Sequence, residues 1–196
     1  MIAKKPGAII IEGHVQGLSN TRALGKVGIP VYVVDKMNCI ARYSRYCQKF
    51  LKSPDFIKDE FVYFLLNMAE ELEIEGWVLI PSNDHAVYTI SKHKRILGKY
   101  FKVITPDLNV VESIYDKLRL LDIAKRNNIP APYYQQFRKV NDKVDDQLMF
   151  PVLTKGRYGL SFYRTMGKKV FLAHNENELR EQLRFIDLHY SLNKTF

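Results

Sequence analysis

The feature that most constrains the fold is a strand–helix–strand pattern near the start of the chain. Two apolar runs, AIII at residues 8–11 and VYVV at 31–34, flank a segment with helical spacing. That segment, residues 19–28, is predicted to be capped by Ser19 or Asn20 and to end at Gly28. Both runs are apolar at successive positions, which is typical of parallel strands covered by helices on both faces. The pattern therefore predicts a βαβ unit.

The same alternation continues to about residue 106. Further strands are predicted at residues 47–54, 77–81 and 101–106, with helices at 56–72 and 83–97. Five strands that alternate with helices predict an α/β fold with an open, doubly wound, Rossmann-like parallel sheet.

A different pattern follows Pro106 and predicts a small α+β lobe. One helix is expected from residue 107 until the prolines of NNIPAP, because proline cannot continue it. The other predicted elements are strands at 133–137, 150–155, 160–165 and 169–173, a short helix at 140–148, and a helix at 176–192 capped by Asn175. The predicted domains are residues 1–108 and 109–196.

Composition and charge exclude several classes of protein. The 196 residues are 46% hydrophobic and carry a formal charge of +9, with no block of basic residues. Scattered basic residues favour small anions, so no nucleic-acid binding is expected. No apolar run approaches the length of about 18 residues that a membrane helix needs, and the patch at residues 8–11 is too short for a signal peptide. A cytoplasmic protein without membrane association is expected.

The spacing of cysteine and histidine predicts no metal site. Cys39 and Cys47 form no CxxC pair, and the five histidines show no HExxH or other paired-ligand spacing.

The loop after the first predicted strand, GHVQGLSN at residues 13–20, is a candidate anion site. Ligands of open α/β sheets bind beyond the carboxyl ends of the strands, and a helix N-terminus favours negative charge. The loop matches neither GxGxxG nor GxxxxGK[ST]. Gly17 is interpreted as a tight-turn glycine. Asp35 ends the second strand, where dinucleotide enzymes place a ribose-binding acid, so an NAD site is an alternative.

Three polar residues, His14, Arg22 and Asp84, are predicted to face an acceptor substrate at the ends of the first and fourth strands. Helix capping explains Asp84 equally well. Arg42 and Arg45 of ARYSRYC could together hold a carboxylate or phosphate, or could be ordinary surface charges.

FPVLTKGRYG, residues 150–159, places Lys155 at the end of an apolar run. The ammonium group faces either solvent or a bound phosphate, and both interpretations remain open from these residues alone. Gly156 and Gly159 are expected to let the backbone approach a ligand. Lys117 by itself is an exposed helical lysine.

The order of these pieces is more specific than any one of them. GIPVYVVD, ARYSRYC, VLIPSND, DKLRLLDIAKRNNIPAP, FPVLTKGRYG and KKVFLAHNENELREQL follow one another. This order resembles the N-terminal two-thirds of ATP-grasp enzymes of the carboxylate–amine ligase-like branch, and the resemblance covers nearly the whole chain.

The resemblance implies a pre-ATP-grasp domain, residues 1–108, followed by the first ATP-grasp lobe, residues 109–196. It implies that Lys117 and Lys155 bind the phosphates of ATP and that the turn from Gly156 to Ser161, with Gly159, covers the triphosphate. The implied cofactors are ATP and magnesium. The implied reaction activates a small-molecule carboxylate as an acylphosphate for attack by an amine or thiol, and a homodimer is compatible with the family.

Two departures from the family pattern affect what can be expected. GRYGLSFYRT carries bulky Tyr158 and Phe162 where many relatives have proline after the lysine and a loop richer in glycine and serine. The second lobe, which in the family supplies the magnesium ligands and the catalytic arginine, is missing. We therefore expect an N-terminal part that is inactive alone, with catalytic residues unassigned; the alternative is a non-catalytic nucleotide- or ligand-binding module.

Overall fold

The computed structural model describes residues 6–196, which divide into two compact units. The first unit extends to Val111, and the second comprises Glu112–Phe196. Within the described residues, no helix is both long enough and apolar enough to cross a membrane.

The first unit contains a five-stranded sheet in which all strand pairs are parallel, in the order β3-β2-β1-β4-β5. The strands are β1 (Ala8–Ile11), β2 (Val31–Asp35), β3 (Lys49–Lys52), β4 (Val78–Pro81) and β5 (Lys102–Val103). The helices are α1 (Val15–Lys26), α2 (Asp59–Glu71), α3 (Asp84–Lys92) and α4 (Lys94–Leu97), with a 3-10 turn at Ile40–Tyr43. The predicted α/β fold is confirmed.

Apolar side chains cover both faces of this sheet. In β1, Ile9 and Ile11 pack into a cluster with α2, α3 and α4, whereas Ala8 and Ile10 pack on the opposite face with Leu18 of α1. Because successive side chains of a strand point to opposite faces, the continuous run AIII requires cover on both sides. Each fully buried isoleucine stabilises the fold by roughly 1.5–3 kcal/mol relative to exposure.

Helix α1 begins earlier than the prediction of a cap at Ser19 or Asn20. Its N-cap is His14, and the backbone N–H of Leu18 donates to the His14 carbonyl at 2.7 Å. Gly17 therefore lies inside the helix rather than in a tight turn. A Cβ at this position would lie 2.0 Å from the Glu12 carbonyl oxygen, so Gly17 permits the first turn of α1 to approach the end of β1.

Four α-helices, two strands and a 3-10 turn at Leu192–Lys194 follow Pro106. The helices and strands are α5 (Leu108–Tyr115), which contains the boundary between the units, α6 (Lys117–Arg126), β6 (Val152–Lys155), α7 (Gly159–Met166), β7 (Val170–Ala173) and α8 (Glu176–His189). Strands β6 and β7 pair antiparallel. Asn175 caps α8 by accepting from the Glu178 N–H at 3.0 Å, as predicted.

The prediction of a single helix after Pro106 is wrong. Asp116 adopts an extended conformation and caps α6 by accepting from the N–H groups of Leu118 and Arg119, which separates α5 from α6. Aspartate is among the strongest N-caps, and its side chain replaces the backbone hydrogen bonds that a continuous helix would make.

Three other predicted elements of the second unit are also wrong. Residues 160–165 belong to helix α7, which ends at Gly167 with φ of 69°, a left-handed conformation suited to glycine. Residues 133–137 form no strand, and in this segment the Gln135 side chain binds the backbone of Lys143 and Asp145. Residues 140–148 form no helix; Asp142 instead closes a turn by accepting from the N–H groups of residues 138 and 139.

Phe162 of α7 is the centre of the second core. It is fully buried and makes edge-to-face ring contacts with Phe171 and Tyr190 at 5.9 and 5.4 Å between centroids. Leu179, Leu183 and Ile186 of α8 complete the cluster. This packing gives β6 and the start of α7 a rigid support.

Candidate functional site

Strand β6 ends at Lys155, and one face of the β6–β7 pair is apolar and exposed. Leu153 lies opposite Leu172, and Lys155 lies opposite Val170. Cross-strand partners project to the same face, so these four side chains form one surface, here called the outer face. Leu153 and Leu172 are each 48% exposed and Val170 is 38% exposed. The outer face thus joins an apolar area to one ammonium group.

The backbone beyond β6 is held by the last residues of the chain. The N–H of Lys155 donates to the Phe196 carbonyl at 2.9 Å, and the N–H of Phe196 donates back at 3.0 Å. Gly156 forms a bridge with Thr195, and the Arg157 N–H donates to the Lys194 carbonyl at 2.8 Å. Residues 155–158, here called the Lys155 loop, therefore start from a fixed backbone.

Glycine at position 156 is explained by packing. A Cβ there would lie 2.3 Å from the Cβ of Phe162, so only glycine lets the Lys155 loop rest on the core. Gly156 is buried and is not among the residues with positive φ. Close approach to Phe162 is thus one reason for glycine at this position, and the expected approach of its backbone to a ligand stays a prediction.

The start of α7 lies beside the ammonium group of Lys117. A Cβ at Gly159 would lie 2.9 Å from the Lys117 Nζ. Lys117 is the first residue of α6, and its N–H donates to the Arg157 carbonyl at 3.2 Å. The structure thus brings together Lys117, Gly159 and the Lys155 loop, which sequence spacing alone could not connect.

Gly159 and Ser161 lie in the first turn of α7, not in a turn that precedes a strand. The N-cap of α7, Tyr158, makes no side-chain capping hydrogen bond. The first N–H groups of a helix have no partner within it and favour an anion. Ser161 is exposed, and its hydroxyl oxygen accepts from the Tyr190 hydroxyl at 3.2 Å.

A partly buried ion pair joins the Lys155 loop to the start of α6. The Arg157 guanidinium donates to both carboxylate oxygens of Asp116, with an Nε–Oδ1 distance of 3.1 Å. The Tyr158 hydroxyl donates to the same carboxylate at 3.4 Å. Burial tends to raise the pKa of Asp116, but the hydrogen bonds from Arg157 and the backbone outweigh it, so the pKa lies below its ordinary value.

In the first unit, His14 and Asp84 lie at the carboxyl ends of β1 and β4. His14 is the exposed N-cap of α1, and Asp84 is the exposed first residue of α3. Asn83, not Asp84, caps α3, because its side chain accepts from the Ala86 N–H at 2.7 Å. Arg22 is exposed in the interior of α1, well beyond its first turn, because α1 begins at Val15. The substrate role of these residues stays a prediction.

Glu12 was missed by the sequence interpretation. It directly follows β1, where the sheet order changes direction, and adopts φ of 71°, which is rare for a residue with a side chain. Burial raises the pKa of its carboxyl group, although a hydrogen bond from Asn83 and the charge of His14 oppose the shift. No local pattern in the sequence indicated this environment.

Asp35 is engaged by the backbone rather than presented to a ligand. Its carboxylate accepts from the Gly13 N–H at 2.8 Å and from the Met37 N–H at 3.1 Å, and the residue is 2% exposed. These contacts explain the acid at the end of β2 without a ribose.

The two arginines of ARYSRYC contact different side chains within the protein. Arg42 donates to the Asn38 side chain at 2.6 Å and lies over the Phe50 ring, whereas Arg45 donates to the Tyr46 hydroxyl at 2.6 Å. Among residues 6–196, no group of three histidine, cysteine or acidic side chains is placed to hold a metal ion.

Comparison with known proteins gives structural matches only. No family model matches the sequence, and no curated protein matches it significantly. Among solved structures, the L-amino acid ligase of Bacillus licheniformis matches with a TM-score of 0.68 and 15% identity, over 94% of this chain and 43% of that one.

Two further matches are N5-carboxyaminoimidazole ribonucleotide synthetases. The enzyme of Thermotoga maritima matches with a TM-score of 0.63 and 24% identity, over 90% of this chain and 43% of that one. The enzyme of Staphylococcus aureus, complexed with ADP, matches with a TM-score of 0.69 and 18% identity, over 94% and 45%. The chain therefore spans less than half the length of these enzymes. The resemblance is confirmed at the level of the fold: the chain has the fold of the N-terminal part of ATP-grasp carboxylate–amine ligases.

Proposed function

We propose that the chain forms the N-terminal part of a cytoplasmic, ATP-dependent ligase that joins a small-molecule carboxylate to an amine or thiol. One observation carries the proposal. The outer face places an apolar surface next to Lys155, and Lys117 lies close to Gly159 at the uncapped start of α7. An apolar surface beside one lysine, with a second lysine at the helix N-terminus that follows the same strand, supports binding of a nucleoside triphosphate.

The adenine ring and the phosphates of ATP each have proposed partners in the second unit. The exposed side chains of Leu153, Leu172 and Val170 offer an apolar surface for the adenine ring. Lys155 and Lys117 supply compact positive charges for the phosphates. The first N–H groups of α7, from Gly159 to Ser161, add donors that need no conformational change.

The chemistry proposed is transfer of the terminal phosphoryl group of ATP to the carboxylate, which leaves ADP and an acylphosphate. The amine or thiol then attacks the acyl carbon, and inorganic phosphate leaves. In such a reaction the protein mainly positions the groups and neutralises charge. Lys117 and Lys155 would hold phosphate oxygens in place. Magnesium remains part of the proposal, but the described residues include no cluster suited to it, so no step is derived from it.

The acceptor substrate is proposed to bind at the carboxyl edge of the first-unit sheet, where His14 and Asp84 lie and where Glu12 adds a carboxylate. Arg22 is retained as a proposed contact, although its position in the interior of α1 makes it more remote from that edge. Inactivity of the chain alone and a homodimeric state are also parts of the proposal.

Replacement of Lys155 by alanine tests the proposed phosphate contact. Calorimetric titration with ATP should show binding weakened roughly ten- to a hundredfold, the value of a charge-assisted hydrogen bond of about 1.5–3 kcal/mol. Lys125→Ala is the matched control, because Lys125 is an exposed lysine in the last turn of α6. NAD, titrated in parallel, should not compete with ATP. Equal ATP affinity in wild type and Lys155→Ala, both folded by circular dichroism, would reject the phosphate role.

A further inference from the structure

We infer that Asp116 and Arg157 form a positioning pair that sets Lys117 against the start of α7, and so determines the spacing of the two lysines that hold the triphosphate. The inference rests on the proposed function and deepens it, because neither residue is assigned a contact with the nucleotide.

The pair joins the two segments that carry the lysines. Asp116 immediately precedes Lys117, and Arg157 lies between Lys155 and Gly159 in the Lys155 loop. The side chains form a two-point ion pair, and the Lys117 N–H donates to the Arg157 carbonyl. The contacts thus tie the first turn of α6 to the Lys155 loop through both side chain and backbone.

Asp116 is well suited to a fixed, non-reacting role. It is 6% exposed, and its carboxylate accepts from Arg157, from Tyr158 and from the two N–H groups that begin α6. A carboxylate with this many donors is oriented firmly and stays charged. Arg157 also donates to the Asn193 carbonyl at 3.5 Å, which links the pair to the segment that supports β6.

Loss of one partner leaves the other charge partly buried and unpaired. The unpaired group is expected to reorient toward water. This change destabilises the local structure more than removal of an exposed charge does. We expect the Lys155 loop to move away from α6 in that case, and Lys117 to lose its fixed position near Gly159.

The direction of the change in ATP affinity in Asp116→Asn distinguishes a positioning role from a purely electrostatic one. Asp116→Asn removes a negative charge near the proposed phosphate site, so electrostatics alone predicts tighter ATP binding. Asparagine is as good an N-cap as aspartate, so α6 keeps its start. If the pair positions Lys117, Asp116→Asn must weaken ATP binding despite the added positive potential, by roughly fivefold.

The binding experiment is a double-mutant cycle titrated with ATP by calorimetry, using Asp116→Asn, Arg157→Gln and the double variant. Because each single change breaks the same pair, we expect the double variant to bind about as weakly as the weaker single one. The matched controls are Glu176→Gln and Arg180→Gln, which break an ion pair on α8 with an N–O distance of 2.9 Å. ATP affinity that is unchanged or increased in Asp116→Asn would overturn the inference.

Amide hydrogen exchange tests the pair without any nucleotide. The Lys117 N–H should exchange about tenfold faster in Asp116→Asn than in wild type, whereas the Lys155 N–H, bonded to Phe196, should keep its protection. If the wild-type chain binds no ATP, the proposed function fails and exchange alone decides on the pair. Unchanged exchange at Lys117 would overturn it in either case.

Discussion

Replacement of Gly159 by alanine should move one ammonium group and little else. The added Cβ would lie 2.9 Å from the Lys117 Nζ, and ordinary van der Waals contact begins at 3.4 Å, so the Nζ must retreat by about 0.5 Å. The obstacle is the far end of a flexible side chain, not backbone. Alanine also suits the first turn of α7 better than glycine, so thermal stability should be unchanged or slightly increased.

The size of the binding effect follows from what Lys117 contributes. A hydrogen bond to a charged group is worth about 1.5–3 kcal/mol, and a displacement of this size should lose part of it. We expect ATP to bind roughly three- to tenfold more weakly to Gly159→Ala. In a Lys117→Ala background the same substitution should have no further effect, since the group it displaces is gone.

Calorimetric titration with ATP of wild type, Gly159→Ala, Lys117→Ala and the double variant measures both the loss of affinity and its dependence on Lys117. An equal loss on Gly159→Ala with and without Lys117 would refute the reasoning, because it would mean that the new methyl group blocks the nucleotide directly. Unaltered affinity in Gly159→Ala, together with weak binding by Lys117→Ala, would place the Lys117 ammonium elsewhere.

Three further predictions concern stability. Gly156→Ala should destabilise the second unit by about 1–3 kcal/mol in urea unfolding followed by far-UV circular dichroism, because its Cβ would overlap Phe162; a change below about 0.5 kcal/mol would show that the core yields easily. The hydrogen bond to Asp122 raises the pKa of Tyr134 to about 12, above its unfolded value of 10.0. The stability that this hydrogen bond contributes is therefore complete below pH 10.0 and is lost as the pH rises through about 12. Tyr134→Phe should lack this alkaline loss of stability. The pKa of Asp116 is lowered from 3.8, so its contribution to the free energy of unfolding is present above pH 3.8 and is lost as the pH falls through the lower folded pKa. The free energy of unfolding of Asp116→Asn should therefore depend less on pH in the acid range than that of wild type. Identical pH dependence in the two proteins would contradict this.

The first unit could be predicted from sequence because its signals are local. Runs such as AIII and VYVV are short, rich in β-branched residues and apolar at every position, which is typical of a strand buried on both faces. The start of α1 was misplaced because the glycines of GHVQG indicated a turn, whereas Val15 to Gly17 belong to the helix. What holds that start is the close approach of Gly17 to Glu12, a backbone contact that spacing does not reveal.

The second unit was harder to predict because its short segments fit two patterns. Residues 160–165 alternate like a strand, yet Phe162 and Met166 also stand one helical turn apart, and both pack in the core. Asp116 carried a capping signal that the continuous helical spacing on both sides obscured. Its ion pair with Arg157 joins distant positions, and such pairs become visible only once the fold is known.

The resemblance in motif order supplied Lys117 and Lys155 as candidate nucleotide-binding residues, and the structure places Lys117 beside the start of α7. It could not supply the reason for each glycine. Gly156 makes room for Phe162, and Gly159 makes room for the Lys117 ammonium group. Within one short segment, Gly156 therefore has a packing role and Gly159 has a proposed site role.

The central claim is that the second unit receives the phosphates of ATP at the start of α7. Amide chemical shifts, recorded by NMR while ATP is added to the 196-residue chain, test it directly. The largest shifts should fall on Gly156, Gly159, Leu160 and Ser161. In Lys155→Ala these shifts should require roughly ten- to a hundredfold more ATP, whereas the titration of Lys125→Ala should match wild type. Shifts concentrated instead at residues 13–17 of the first unit, or produced equally by NAD, would contradict it.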